Sequence, residues 1–171
     1  MRFIAPDGLV ARPRTPADTE FLAALYASTR ATELAAVPWP GHAKLAFVRS
    51  QFDAQSLHYD LHYADAEFLV LECDGHPVGR LILSWGDRDL HVVDISLVPA
   101  YCGIGLGTAL LRAVLAQATG SVSIHVERFN PALRLYQRLG FVHEEDTGVY
   151  YRMRWENRSP AIELLRIGSP Q

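Results

Sequence analysis

The chain has 171 residues with a formal net charge of −3, and 49% of its residues are hydrophobic and 20% charged. This length and apolar content predict one domain over residues 1–171 with a substantial buried core, and leave the structure of residues 155–171 open. The composition argues against a nucleic-acid-binding protein and against a membrane protein, because the chain has no basic excess and no run of roughly 18 apolar residues.

The two cysteines, Cys73 and Cys102, are too few for a disulfide framework, and neither has the spacing of a metal ligand. We therefore predict a cytoplasmic protein with no metal site and with neither a nucleic-acid nor a membrane partner.

The first 65 residues are predicted to form two helices on either side of a proline-rich loop, residues 37–41. Thr15 as the cap, Pro16 at the first helical position and Asp18 in the first turn mark the start of the first helix. Its predicted buried side chains are Phe21, Leu22 and Leu25. The second helix is predicted from spacings of three and four residues between Leu45, Val48, Phe52, Gln55 and Tyr59.

After residue 66 the apolar pattern changes from helical to extended. Residues 67–73 and 78–85 flank the turn pair Asp74-Gly75 and predict a β-hairpin, and residues 90–98 predict a third strand. A helix that buries Leu106, Ala109, Leu110, Ala113 and Val114 then leads to a strand at residues 121–126. A helical connection of this length predicts that these last two strands are parallel.

Two further elements follow in the last quarter of the chain. A short helix is predicted between Asn130 and Gly140, with Ala132, Leu135, Tyr136 and Leu139 on one side. The last predicted strand is residues 149–155.

Gly103, Gly105 and Gly107 stand at the start of the helix that follows the third strand. Free amide groups and a partial positive charge at a helix start attract anions, so a diphosphate can lie across the amides of residues 103–108, with the Thr108 hydroxyl beside it. The alternative is a turn that only leads into the helix, because one glycine-rich match is a weak signal. The sequence argues against a nucleotide-hydrolysing loop, since no lysine precedes Thr108.

A dinucleotide-binding turn is a second alternative, with Gly103 and Gly105 opening the helix and Glu127 placed as a ribose-binding acid. Against it, position 108 is threonine where a third glycine is expected, and residues 99–102 lengthen a turn that should be tight.

The sequence resembles the GCN5-related N-acetyltransferases, the GNAT family. The family's pyrophosphate loop, Gln/Arg-x-x-Gly-x-Gly/Ala, is matched at every position except the first by Cys102, Gly103, Ile104, Gly105, Leu106 and Gly107. The strand end Leu97-Val98-Pro99 and the block from Asn130 to Phe141 are also typical of the family. The resemblance implies an α/β fold with a mixed, mostly antiparallel sheet flanked by helices and a parallel strand pair around the cofactor.

The resemblance also implies that acetyl-CoA gives its acetyl group directly to an amine in a ternary complex, without a metal. The strand end would part from its neighbour and bind the cofactor through the backbone of Ser96, Leu97 and Val98. Tyr136 would be the general acid near the sulfur, or else a core residue. Asn130 would cap the short helix, contact the cofactor, or do both.

The proton acceptor for the amine is not defined by the resemblance. Asp94 is the leading candidate, acting directly or through water or else serving as a strand-end carboxylate, with Glu72 and His91 behind it. Cys102 replaces the usual Arg or Gln and removes one phosphate contact, for which Arg112 or Arg134 can partly compensate.

The acceptor is expected to be a small-molecule or peptide amine, and a homodimer is left open. Candidate acceptor-pocket residues are Arg30, Glu33 and Trp39, and the acidic residues that would favour a cationic amine are Asp53, Asp60 and Asp65. Two other functions remain open: an acyl-CoA-binding module without turnover, and an NAD-dependent oxidoreductase.

Overall fold

The computed structural model describes residues 1–157, whose strands form one mixed seven-stranded sheet in the order β1-β2-β3-β4-β5-β7-β6. The strands are β1 (Val10–Pro13), β2 (Glu67–Cys73), β3 (His76–Trp85), β4 (Asp89–Leu97), β5 (Ser121–Glu127), β6 (Val142–Asp146) and β7 (Tyr150–Glu156). Every neighbouring pair is antiparallel except β4 and β5. The predicted mixed sheet with one parallel pair is confirmed, and the topology gives no support to a mostly parallel dinucleotide-binding fold.

Helices cover both faces of the sheet. They are α1 (Thr19–Thr29), α2 (Ala31–Ala35), α3 (Gly41–His62), α4 (Leu106–Gln117) and α5 (Leu133–Arg138). Val70 on β2 joins buried residues of α1 and α3 in one apolar cluster, whereas its neighbours Leu69 and Leu71 belong to the larger cluster with α4 and α5. Because successive strand residues point to opposite faces, α1 and α3 lie on one face and α4 and α5 on the other.

The predicted start of the first helix is confirmed, although its first turn is a 3₁₀ turn at Pro16–Asp18. The Asp18 carboxylate accepts hydrogen bonds from the Thr15 N–H at 2.7 Å and from the Thr15 hydroxyl at 2.8 Å. Arg12 on β1 donates to both Asp18 oxygens, and these bonds hold the pKa of Asp18 well below its usual range. This ion pair ties the first strand to the beginning of α1.

Two predicted helix faces are corrected. In α3, Val48 and Phe52 are buried but Leu45 is 71% exposed, where it lines an open cleft with Ala27 of α1 and Leu34 of α2. In α4, Leu110, Leu111, Val114 and Leu115 are buried, whereas the predicted Leu106, Ala109 and Ala113 are half-buried. The buried face of α4 is therefore rotated from the predicted one, toward Leu111 and Leu115 and away from Ala109 and Ala113. Burying two leucines removes more apolar area from water than burying two alanines.

The predicted hairpin is confirmed, and its turn is the pair Asp74-Gly75, with φ values of 50° and 77°. The strand at residues 121–126, its parallel pairing with β4, the short helix and the last strand are also present. Three elements were missed: β1, α2 and β6. The first two have only four and five residues, and β6 is exposed at every position, so none has a readable apolar period.

The parallel pair opens halfway along its length. β4 and β5 are paired from Asp89↔Ser121 to Val92↔Ile124, after which β4 continues only with β3 and β5 only with β7. β4 has a bulge at the same point. Ile82 pairs with Asp94 and the next residue, Leu83, pairs with Val92, so that Val93 has no partner on β3. We call the gap beyond Val92 and Ile124 the opening.

No helix within residues 1–157 combines the length and the apolar character that crossing a membrane requires.

Candidate functional site

The glycine loop connects the end of β4 to the first turn of α4. Gly103 and Gly105 have φ values of 77° and 93°, in the left-handed region that only glycine enters without strain. A Cβ atom at either position would meet no atom of residues 1–157 within 4 Å, so their outer side is open as far as the structure describes the chain. Gly107 is helical, and a Cβ atom there would lie 3.7 Å from Leu135 Cδ2. Backbone conformation, rather than crowding, therefore requires glycine at positions 103 and 105.

The backbone N–H groups of residues 103–108 have no hydrogen-bond acceptor within the described part of the chain. The N–H of Cys102 bonds to the carbonyl of Pro99 at 3.1 Å, and the next backbone bond is from Ala109 N–H to the Gly105 carbonyl at 3.0 Å. Six consecutive donors are thus left at the positive end of a helix of 12 residues. This arrangement fits an anion with several oxygens, such as a diphosphate.

Cys102 lies at the edge of this donor array. Its side chain is exposed, and Sγ lies 3.6 Å from the carbonyl oxygens of Leu97 and Val98, so the thiol turns back toward β4. Arg112 and Arg134 are exposed and form no ion pair within residues 1–157. Their predicted compensation for the missing Arg or Gln stays a prediction.

The backbone of β4 faces the opening at alternate residues. Val98 donates its N–H to the Val78 carbonyl on β3 at 2.9 Å. Because backbone groups alternate in direction along a strand, those of Leu97 and Ile95 face the opening. Ser96 pairs with Arg80 on β3, and its hydroxyl donates to Asp94. Of the three residues predicted to bind the cofactor through their backbone, Leu97 thus faces the opening, as does Ile95, which the sequence analysis did not name; the contacts themselves stay a prediction.

Tyr136 lies on α5 with its ring 4% exposed and packed edge-on against Phe141, at a centroid distance of 5.8 Å. Its hydroxyl has no hydrogen-bond partner among the described residues, although buried tyrosine hydroxyls usually have one. Burial raises the pKa of Tyr136 above its usual value, and the Asp94 charge raises it further. Tyr136 is therefore a protonated donor at neutral pH that is free to bond with a ligand.

Asn130 forms the turn that precedes α5. Its Oδ1 accepts the Ala132 N–H at 2.8 Å and its carbonyl accepts the Leu133 N–H at 3.1 Å. Asn130 therefore stabilises the entry to the helix, which begins at Leu133, two residues after the predicted first helical position, Pro131. Its contact with a cofactor stays a prediction.

Asp94 is the centre of a buried polar cluster on the α3 side of the sheet. Arg80 Nη2 lies 2.5 Å from Asp94 Oδ2, the Tyr59 hydroxyl donates to the same oxygen at 3.2 Å, and the Ser96 hydroxyl donates to Oδ1 at 2.8 Å. Arg80 Nη2 also donates to Gln55 Oε1 at 3.0 Å. The sequence interpretation missed Arg80, although an arginine inside an apolar strand was a readable signal.

Neither of the two other candidate bases is well suited to accept the proton: Glu72 lies away from the opening, and His91 is a poor proton acceptor. Glu72 binds Arg12 Nε at 2.6 Å between β1 and β2. Burial lowers the pKa of His91 to about 4, with a smaller contribution from His125, so His91 is neutral at pH 7. Ser123 donates its hydroxyl proton to Asp89 and so accepts from His91 Nδ1 at 3.0 Å, which leaves Nε2 unprotonated.

His91 should make the fold sensitive to mild acid. Between pH 6.5 and 4 an unfolded chain protonates His91 and the folded protein does not, so the free energy of unfolding falls as pH falls, by up to about 3 kcal/mol. We expect His91→Gln to remove this part of the pH dependence. Urea unfolding at pH 7 and pH 4.5 checks it, and equal pH sensitivity in both proteins would exclude His91 as the cause.

The candidate acceptor residues surround the corner between α1 and α2. Arg30 donates to Glu127 at the end of β5 at 2.9 Å and connects this corner to the far side of the opening. Arg30 and Glu33 line a cleft of about 270 Å³ with Tyr26, Leu34, Phe47, Val48 and Gln51. Trp39 is 47% exposed and packs edge-on against Phe47.

The predicted acidic residues do not act as a group of free charges. Asp60 pairs with Arg14 at 2.7 Å and Asp53 with Arg49 at 3.3 Å. Asp65 is exposed. Within residues 1–157, no group of three or more His, Cys, Asp or Glu side chains is arranged to hold a metal ion.

Comparisons with known proteins agree with this geometry. The sequence model described as "Acetyltransferase (GNAT) family" matches residues 29–141, more than half of the chain. An N-alpha-acetyltransferase of Sulfurisphaera tokodaii is 31% identical over an alignment of 105 positions that covers 51% of this chain and 63% of the relative. The chain thus spans less than two thirds of the length of that curated relative.

Solved structures share the fold at low identity. The PaiA N-acetyltransferase from Thermoplasma acidophilum, in complex with coenzyme A, superposes with a TM-score of 0.65 at 19% identity, over 87% of this chain and 99% of that chain. The spermidine N-acetyltransferase from Vibrio cholerae, in complex with CoA and spermine, has a TM-score of 0.60 at 21% identity, over 88% and 96% of the two chains. At these identities the similarity shows the fold alone.

Proposed function

Because the chain belongs to the acetyltransferase (GNAT) family, we propose that it transfers an acetyl group from acetyl-CoA to the primary amine of a small molecule or peptide, by direct attack in a ternary complex. The observation that carries the proposal is the row of six N–H groups at residues 103–108 that have no partner within residues 1–157, beside a sheet that opens between β4 and β5. A loop suited to an anion and an opening suited to a thioester thus adjoin each other.

Coenzyme A is the group that these residues fit. The amides from Gly103 to Thr108 would hold its diphosphate, and the backbone of Leu97 and Ile95 would bind its pantetheine arm along the opening. The open space above Gly103 and Gly105 supports this role, because no side chain of the described residues fills it. When bound, acetyl-CoA would supply an activated acetyl carbon for attack by the amine nitrogen, and its sulfur would then leave with the electron pair of the carbon–sulfur bond.

Two side chains on opposite faces of the sheet would handle the protons. Tyr136, on the α5 side, would donate its hydroxyl proton to the departing sulfur. Asp94, on the α3 side, would accept one proton from the amine, directly or through water. The Asp94 charge contributes to the raised pKa of Tyr136, so the two groups interact through the sheet. This interaction supports the pairing, because Asp94 lies beyond Val92, where the pairing of β4 with β5 has ended.

The acceptor is proposed to be an amine with a low pKa, such as a peptide α-amino group. Deprotonation at pH 7 costs about 1 kcal/mol for an α-amine of pKa 7.7–8, but about 4 to 5 kcal/mol for a lysine amine. Asp94 already accepts three hydrogen bonds, one of them from Arg80, so the candidate proton acceptor on this side of the described opening is not a free carboxylate. The relative named an N-alpha-acetyltransferase favours the same acceptor class.

Cofactor selectivity and turnover test the proposal separately. Coenzyme A at 100 times its Kd should stabilise the folded protein by about 2.7 kcal/mol, whereas NADH should not raise the melting temperature. Thiol release from acetyl-CoA should then require an amine and be faster with a peptide α-amine than with a lysine side-chain amine at pH 7. Stabilisation by coenzyme A without thiol release for any amine would favour an acyl-CoA-binding module, and stabilisation by NADH alone would favour an oxidoreductase.

A further inference from the structure

The buried cluster around Asp94 has a composition that stability does not explain. The side chains of Arg80 and Asp94 are 7% and 10% exposed, and Arg80 Nε is buried without a hydrogen-bond partner within residues 1–157. Replacing a buried ion pair by apolar residues of similar volume is often neutral or stabilising, and an unpaired buried donor adds a further cost. A role in the chemistry at this position is a better explanation for the pair than stability of the fold.

The hydrogen bonds fix the orientation of the Asp94 carboxylate. A carboxylate has about four lone-pair sites, two on each oxygen. Oδ2 accepts from Arg80 and Tyr59, whereas Oδ1 accepts only from the Ser96 hydroxyl. One site on Oδ1 therefore remains for a further donor, and the carboxylate cannot rotate without breaking bonds to three residues.

The cluster lies at the opening because of the bulge in β4. Leu90 and Val92 face the core under α4, and the unpaired Val93 reverses the alternation, so that Asp94 and Ser96 face α3. Asp94 is two residues beyond Val92, the last residue of β4 that pairs with β5. Tyr59 reaches Asp94 from α3, and Arg80 reaches it from β3.

We propose that Arg80 and Tyr59 are positioning residues for the acetyl transfer, which hold Asp94 so that Oδ1 faces the acceptor amine at the opening. This inference rests on the proposed function. The proton leaves the amine nitrogen for Oδ1, and neither Arg80 nor Tyr59 gains or loses a proton. Arg80 holds Oδ2 of the carboxylate from β3, and Tyr59 fixes the angle of the carboxylate from the side of α3.

Tyr59→Phe is the first test, because it removes one hydrogen bond and keeps the ring. We expect kcat/KM for the amine to fall by about tenfold or more, the scale of one hydrogen bond to a charged group, with KM for acetyl-CoA unchanged. In an Asp94→Asn background, Tyr59→Phe should change kcat/KM by less than about twofold, since residues that act through one another are not additive. Tyr63→Phe is the matched control, because Tyr63 immediately follows the end of α3, four residues after Tyr59, and its hydroxyl has no partner among the described residues.

Arg80 is tested by two variants that differ in charge. Arg80→Met should lower both the melting temperature and the turnover, because it leaves a buried unpaired carboxylate, and Arg80→Lys should recover part of the turnover through its charge. Equal effects of Tyr59→Phe and Tyr63→Phe, or an undiminished effect of Tyr59→Phe in the Asp94→Asn background, would overturn the proposal. Failure of the proposed function is distinguishable, because the unmodified protein would then release no thiol from acetyl-CoA.

Discussion

Gly105→Val is expected to weaken coenzyme A binding by about a hundredfold, the loss of roughly two charge-assisted hydrogen bonds worth about 3 kcal/mol in total. Gly105 has a φ of 93°, which a β-branched residue avoids, so the valine variant should relax the loop toward negative φ. That change turns the N–H groups on both sides of Gly105 away from a common centre. A diphosphate would then meet fewer of the six donors.

The measurement is isothermal titration with coenzyme A, together with KM for acetyl-CoA. Gly8→Val is the matched control, because Gly8 has a φ of 83° and open space around it but precedes β1. Both variants should lose similar folding stability from left-handed strain, about 1 to 2 kcal/mol, whereas only Gly105→Val should lose affinity. Comparable coenzyme A affinity in the two variants would contradict the role of the glycine loop in binding.

The parts of this site that could be predicted from sequence depend on local backbone conformation. Gly103 and Gly105 are readable because few other residues tolerate their φ values, and Asp74-Gly75 is readable for the same reason. The opening between β4 and β5 was expected from family resemblance and not from residue pattern. Alternation along residues 90–98 would place Asp94 on the same side as Leu90 and Val92, but the bulge at Val93 places it on the other.

The cluster around Asp94 also shows why the hydrogen bonds that Gln55, Tyr59 and Arg80 form in it were not predicted. Gln55 and Tyr59 lie on α3, Arg80 on β3, and Asp94 on β4, so the hydrogen bonds between these elements join residues that are 14 to 35 positions apart. Single-sequence periodicity describes which face of an element is apolar and contains no information on which polar side chains from different elements meet. Arg80 was the one member whose pairing could have been expected from sequence, because a charged residue within an apolar strand requires a partner.

Tyr136→Phe is expected to lower kcat by about a hundredfold, the low end of the range for general acid catalysis, since a thiolate is already a good leaving group. The phenylalanine ring keeps the edge-on packing against Phe141, so KM for acetyl-CoA and the melting temperature should change little. The Tyr136 hydroxyl has no partner among the described residues, and its removal leaves no buried group unpaired.

The pH profile of kcat distinguishes a proton donor from a packing residue. Burial and the Asp94 charge raise the pKa of Tyr136, so the hydroxyl stays protonated through neutral pH and gives no basic limb below about pH 10. Tyr136→Phe should therefore lower kcat by the same factor from pH 7 to pH 9, as measured by thiol release. Tyr151→Phe is the matched control, since this half-buried tyrosine also packs against the main core. Equal kcat values for the two variants would assign Tyr136 to the core alone and leave the departing sulfur without a proton donor among the residues identified at the opening.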